Sequence, residues 1–268
     1  MRWRRTLRHV VIFWNVLAPF AAITLVLGSY TWLGLAVVVV GHAMWLTSTM
    51  IPSCQWCGEV VTSLAQARGD GDSAGAEGQD KEVWLTIDDG PHPEDTPHLL
   101  DLLDAHQAKA TFFFIGAHAK KHRKLVRQVI KRGHEVANHT MNHPQYWFWA
   151  YGPGAADREM DECQKVLGDV ADVTPRWFRA PAGFKNPIVQ RHAEKTGMRV
   201  VGWSARGRDG VVTDKEQVLQ RLYSEIRPGG IILMHEGRVA DNGGRLAPQV
   251  LGALLEWLGK NGYRCVVP

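Results

Sequence analysis

With 268 residues, 45% of them hydrophobic and 22% charged, the chain is long enough for one large domain or two small ones and has a folded protein's composition. The formal net charge of +4 is that of four early arginines, Arg2, Arg4, Arg5 and Arg8, because the other 27 basic residues equal the 27 acidic ones. That balance excludes the basic face nucleic-acid binding requires, and Cys54, Cys57, Cys163 and Cys265 are too few and scattered for a disulfide framework.

From Val10 to Met50 no acidic or basic side chain occurs apart from His42, and the stretch divides at Gly28-Ser29 into two apolar blocks, Val10–Leu27 and Tyr30–Met50. About 20 helical residues cross a bilayer, so each block is long enough to span. Trp14, Tyr30, Trp32 and Trp45 lie near block ends, where aromatic rings favour the membrane interface. A cleavable signal peptide also begins with basic residues and an apolar run, but the second block following at once favours an anchor over residues 1–52. The four arginines ahead of the first block keep the N-terminus cytoplasmic, in contact with anionic headgroups, and a two-span hairpin returns the rest of the chain to the cytoplasm. A single span would instead place it outside.

Cys54-Gln55-Trp56-Cys57 has the spacing of a zinc or redox pair, yet a metal would need two more ligands and there is no second such pair; an incidental or acylated juxtamembrane pair is the competing reading. Gly69–Asp80, rich in Gly, Ala, Ser and Asp, reads as a flexible linker, so residues 53–80 are expected to connect the anchor to a domain over 81–268. Strands are expected at Val83–Ile87, Ala110–Ile115, Glu135–Ala137, Arg176–Arg179, Arg199–Gly202, Gly230–Met234 and Arg264–Val266. Between them the patterning predicts helices at Thr96–His106, Ala117–Arg132, Gly154–Leu167, Pro187–Thr196, Asp214–Ile226 and Ala247–Lys260, with Gly133, Gly197 and Gly229 placed as C-terminal caps. Seven strands alternating with helices define an α/β fold with a parallel, barrel-like sheet.

Chemistry gathers where apolar runs end in turns. Asp88 and Asp89 close Thr86-Ile87-Asp88-Asp89-Gly90-Pro91; His139 and His143 frame His139-Thr140-Met141-Asn142-His143; Arg179 opens Arg179-Ala180-Pro181-Ala182-Gly183; His235 ends Leu233-Met234-His235. Two histidines four apart project from one face of a helical turn, as a divalent cation requires, and Asp89 supplies a third, charged ligand. Two imidazoles and a carboxylate leave open positions, the mark of a catalytic ion; a solvated turn is the bland reading of the pair alone. Zinc is the default for such donors, and cobalt or nickel also suits them.

In order and content these four motifs resemble the NodB-homology polysaccharide deacetylases, carbohydrate esterase family four, from about Glu82 to the C-terminus. The resemblance implies a distorted (β/α)7 barrel, here preceded by the membrane hairpin, with Asp89, His139 and His143 as metal ligands. It further implies Asp88 as the base that takes a proton from water, Arg179 as the residue orienting that base, and His235 as the acid protonating the leaving nitrogen. Asp209 can orient or tune His235. For Arg179 the residues also allow a structural role, stacked on Trp177 or Phe178. A backbone N–H near Ala182 is expected to face the developing oxyanion.

Two departures stand out. The family commonly has a tyrosine where Ala182 stands, and the segment from Trp203 to Gly210 carries Arg206 and Arg208 in place of an aspartate run ending in Asp-Trp. The arginines are expected either to meet a phosphate or other anion or to form a solvated loop. Trp147, Phe148, Trp149 and Tyr151 could stack on a sugar, contact the membrane interface or be buried.

The expected activity is hydrolysis of an N-acetyl or N-formyl group from an amino sugar on a lipid-linked or cell-envelope glycan, at a bacterial inner membrane. Two rivals are a deacetylase of polymeric peptidoglycan, chitin-like or exopolysaccharide chains outside the membrane, and a silent glycan- or lipid-binding module.

Overall fold

In the computed structural model, residues 14, 17–28, 30–70 and 81–268 are described. The early arginines, the start of the first apolar block and residues 71–80 of the expected linker lie outside them. Helix α1 (Leu17–Leu27) precedes α2 (Thr31–Met50), which at 20 residues is long and apolar enough to cross a membrane. The two helices meet through small residues: a Cβ at Gly34 would come within 2.9 Å of the Ala22 carbonyl oxygen, and one at Gly41 within 3.5 Å of the Ala18 methyl. Such close backbone approach is how helices associate where apolar burial gives no driving force. The rest of α2 turns apolar side chains outward, with Trp32 84% exposed and Leu35, Val39 and Leu46 exposed beside it.

The segment after α2, expected as a juxtamembrane connection, packs onto the sheet. After α2 comes β1 (Val60–Val61), which pairs in parallel with β6, and then α3 (Leu64–Arg68), started by the Ser63 side-chain cap on the Gln66 N–H. Val60, Val61, Leu64 and Ala67 are all buried; Val61, Leu64 and Ala67 join Trp84 and Trp177 in a cluster inside the barrel. Gln190 and Arg199 bind this segment through the Glu59 carbonyl oxygen and carboxylate. Too short to show a periodicity, it carried no strand signal.

The remaining elements run β2 (Lys81–Asp88), α4 (Asp95–Ala105), β3 (Ala110–Phe114), α5 (Gly116–Lys121), α6 (Arg123–Lys131), β4 (Glu135–Asn138), α7 (Pro153–Ala171), β5 (Trp177–Phe178), α8 (Pro187–Lys195), β6 (Arg199–Val201), β7 (Ala205–Arg206), α9 (Lys215–Glu225), β8 (Ile231–His235), α10 (Leu246–Lys260) and β9 (Tyr263–Cys265). All seven expected strands occur, and β1 and β7, two residues each, raise the sheet to nine. The sheet is parallel in the order β1-β6-β5-β4-β3-β2-β8-β7, with β9 on the N-terminal half of β2. It curls into a half-barrel whose two ends approach through the short 202–204 passage from β6 to β7 and the bridge from Ser63, just after β1, to Gly230, just before β8. The single helix expected over Ala117–Arg132 is broken at His122, whose φ of −114° and ψ of 44° are not helical.

Alternation along β2 sets the layers. Val83, Leu85 and Ile87 pack outward with Leu99, Leu103, Val250 and Leu254 of the covering helices, while Trp84, Thr86 and Asp88 take the opposite face. Register then places Asp88 beside His235 on β8 and beside Phe113 on β3, at the C-terminal ends where barrel enzymes gather their chemistry.

A chain truncated to start at Lys81 loses the burial of Val60, Val61 and Leu64, about 1.5–3 kcal/mol for each side chain. It should lack a cooperative thermal transition, while one starting at Pro52 should keep it; equal melting temperatures for the two would contradict this placement.

Candidate active site

The central residue is Arg179, fully buried at the end of β5. Its Nη1 donates to Asp88 Oδ1 at 2.7 Å and to Thr86 Oγ1 at 2.9 Å, its Nη2 to the Gly202 carbonyl at 2.9 Å and its Nε to the Val201 carbonyl at 3.4 Å. The guanidinium also lies 4.2 Å from the centre of the Phe113 ring. Its aromatic partners are therefore Phe113 and, at 5.8 Å, Trp203, while Trp177 stacks under Arg176 instead. Burial pulls the guanidinium's pKa down, against Asp88, which raises it.

Held at Oδ1, Asp88 presents Oδ2, 3.7 Å from His139 Nε2. Asp89 turns the other way because its backbone is left-handed, with φ of 72°. Its Oδ1 lies 3.5 Å from His139 Nε2 and 3.3 Å from His143 Nε2, and is buried with no hydrogen-bond partner. His139 donates from Nδ1 to the Arg179 carbonyl at 2.8 Å; a carbonyl only accepts, so Nδ1 carries a proton and Nε2 is the nitrogen turned towards Asp89.

The histidines do not ride a helical turn. They sit on an irregular loop after β4, with positive φ at Thr140 (66°) and His143 (51°), and the loop brings the rings to a 4.8 Å separation. Asp89, His139 and His143 offer ligand atoms all within 4.8 Å of one another, the only such group among the described residues. An orphaned carboxylate oxygen facing two imidazole nitrogens fits a divalent cation's donor set. Burial alone would raise the Asp89 pKa, but His139, His143 and His235 together hold it well below the usual carboxylate range. His143, lowered to about 4 by burial and the charge of His139, is neutral and able to ligate at pH 7.

Opposite stands His235. Asp209 grips it twice, accepting from the His235 backbone N–H at 2.7 Å and from Nδ1 at 2.9 Å. Burial disfavours the imidazolium, yet Asp209 outweighs it and lifts the pKa to about 9. Asp88, Asp89, His139, His143, His235 and the Ala182 turn line one cavity of about 440 Å³. Ala182 has φ of 54°. Of the seven non-glycine residues with positive φ among the described residues, four, Asp89, His143, Ala182 and Arg208, line this cavity, a concentration of strain typical of working sites. Trp147, exposed, and Phe148, buried beside Phe178, part company within the aromatic run.

Two supporting residues left no mark in the sequence. Glu236, buried behind the Asp89-Gly90 turn, accepts from the Thr96 hydroxyl and the His92 N–H, and burial raises its pKa to about 8. A Cβ on Gly90 would lie 2.2 Å from Glu236 Oε1, so only glycine fits there. Asp95, fully buried, ties the same turn to the β8 loop through Gly237 N–H at 2.6 Å and a two-pronged bond from Arg245. The second hidden residue is Lys185, buried, whose Nζ donates to the Ile51 and Pro52 carbonyls at 3.1 and 2.8 Å.

With this fold and site described, comparison with known proteins identifies the class. The polysaccharide deacetylase family profile matches residues 75–201. A chitooligosaccharide deacetylase of Sinorhizobium fredii is 38% identical over 156 residues, 58% of this chain and 72% of the relative. A peptidoglycan N-acetylglucosamine deacetylase of Bacillus cereus is 34% identical over 198 residues, 70% of this chain and 86% of the relative. A solved peptidoglycan N-acetylglucosamine deacetylase superposes with a TM-score of 0.64 at 28% identity, covering 70% of this chain and 86% of that one. The chain belongs to the polysaccharide deacetylase family, hydrolases acting on carbon–nitrogen bonds other than peptide bonds.

Arg179→Met should cost about 3–5 kcal/mol in urea unfolding by leaving the Asp88 carboxylate buried and unpaired. Adding Asp88→Asn should restore much of that loss; a double variant as unstable as the single one would contradict the pairing.

Proposed function

We propose that this protein hydrolyses the N-acyl group, acetyl or formyl, of an amino sugar in a cell-envelope glycan, and does so while anchored to the membrane by its N-terminal helices. The observation that carries this reading is a carboxylate and an imidazole, each fixed by its own ion pair, lining one cavity: Asp88 bound by Arg179, and His235 bound by Asp209, which lifts its pKa to about 9. A carboxylate with one oxygen left free can accept a proton, and an imidazole held protonated can give one.

Asp88 Oδ2 takes a proton from the attacking water, with Oδ1 fixed by Arg179 so that the free oxygen has one orientation. The Ala182 segment presents backbone to the acyl oxygen as charge builds there. As the C–N bond breaks, His235 gives its Nε2 proton to the departing nitrogen, leaving the free amine and the acylate. A divalent ion held by Asp89, His139 and His143, with zinc foremost and cobalt or nickel also suited, supplies when bound a Lewis acid for the acyl oxygen and a lowered water pKa. The opposite fates of Asp88 and Asp89 follow from the backbone, one aimed at Arg179 and the other at the histidines.

As substrate we favour a lipid-linked glycan, because α2 delivers the cavity to the bilayer: Met50 and Pro52, at its C-terminal end, line the cavity itself. Both apolar blocks spanning would set the domain in the cytoplasm. The names of the relatives favour the second reading, a polymeric N-acetylglucosamine chain outside the membrane.

The test is acetate and formate release by the full chain in detergent with zinc, from N-acetylglucosamine oligomers and from acylated glycolipids. Asp88→Asn should cut release by on the order of a hundredfold or more. Activity should fall as pH rises through about 9, where His235 loses its proton. Asp209→Asn, removing the charge that holds that proton, should move the alkaline limb to lower pH by about one unit. Release undiminished by Asp88→Asn, or an alkaline limb that stays in place, would sink the assignment.

A further inference from the structure

Three guanidinium groups in the cavity are not used by this chemistry. Arg206, Arg208 and Arg238 line it together with the catalytic residues, and among the described residues none of their side chains has an ion-pair partner. Glu225 is engaged by the backbone N–H of Arg206. The cavity's own carboxylates are taken, Asp88 by Arg179 and Asp89 facing the two histidines. A neutral glycan offers three guanidiniums only weak hydroxyl acceptors. Arginine's planar fork matches phosphate oxygens two at a time, and the bond is charge-assisted.

This basic wall continues into the membrane anchor. The Arg206 guanidinium lies 5.7 Å from the centre of the Trp203 ring. Trp203 and Pro52 both press on Gly183, each within 2.7 Å of where its Cβ would stand. Lys185 closes the joint by binding carbonyls at and just beyond the end of α2, its backbone N–H on Thr49 at 3.1 Å and its Nζ on Ile51 and Pro52. The C-terminal turn of an apolar helix is thereby locked against a positively charged catalytic cavity. Val211, which lines the cavity, is 80% exposed.

The geometry points to an N-acylated amino sugar joined through phosphate to a membrane lipid as the substrate, its phosphate among Arg206, Arg208 and Arg238 and its lipid end beside Met50 and Pro52. This deepens, and rests on, the amide-hydrolase reading above. The three arginines are then specificity-determining residues.

Binding separates this from the chemistry. Full-length Asp88→Asn protein in non-ionic detergent, with zinc, is titrated with three probes: a short-chain lipid diphosphate of N-acetylglucosamine, the matching phosphate-free N-acetylglucosamine glycoside, and lipid-free N-acetylglucosamine 1-phosphate. The first should bind at least about tenfold more tightly than either of the others, and adding Arg206→Ala, Arg208→Ala and Arg238→Ala should remove its advantage over the phosphate-free glycoside. Because a triple change can disturb the fold, Arg208→Ala alone, at an exposed side chain, should give a partial loss that rising salt reproduces in the parent. Equal binding of the phosphate-free glycoside, or an advantage that survives the arginine changes, overturns the phosphate site. Equal binding of lipid-free sugar phosphate overturns the lipid half. Absence of acyl release by the Asp88-containing protein from every substrate would instead count against the hydrolase reading, and leaves the binding comparison to stand or fall by itself.

Discussion

Everything in this site depends on the buried contact between Arg179 and Asp88. Two charges taken out of water carry a large desolvation cost, offset only when geometry and further hydrogen bonds are favourable. Here the guanidinium is satisfied by Asp88, Thr86 and the carbonyls of Val201 and Gly202, and covered by Phe113. The contact draws β2, β5 and β6 together at one end of the curled sheet. It also separates two adjacent aspartates: Asp88 Oδ1 is committed to Arg179, while the left-handed Asp89 backbone turns its carboxylate to both His139 and His143.

A second layer holds that turn in place. Glu236, Asp95 and Arg245 bind the β2 and β8 loops to each other, and His235 stands immediately before Glu236. The spacing of Asp88 and His235 is thus governed by the parallel register of β2 and β8, which pairs the two residues. A third constraint comes from outside the barrel. The segment after α2 contributes a strand, a short helix packed against the barrel's inner cluster and part of the cavity wall, so the apolar helix α2 and the domain share a joint sealed by Lys185.

Much of this was legible in the chain. Short apolar runs marked all seven of the expected strands, and each of the four motifs sat where such a run met a turn. The two-residue β1 lies in the segment read as juxtamembrane and linker, and the two-residue β7 in the 203–210 segment read as a loop, so neither was expected as a strand. The spacing of His139 and His143 suggested a helical face, whereas positive φ at Thr140 and His143 converges the rings on an irregular loop. Glu236 and Lys185 were invisible for another reason: a single charged residue has no pattern, and only tertiary burial reveals that it is paired. The aromatic run from Trp147 divides because Phe148 reaches the core cluster around Phe178 while its neighbour stays outside.

The central claim is the division of labour between Asp88 and Asp89, and zinc-edge X-ray absorption of the loaded protein tests it most directly. The account predicts a shell of two imidazole nitrogens and carboxylate oxygen at roughly 2.0–2.2 Å that persists in Asp88→Asn, although turnover is lost, and breaks down in Asp89→Asn. An intact shell in Asp89→Asn, or one destroyed by Asp88→Asn, would contradict it.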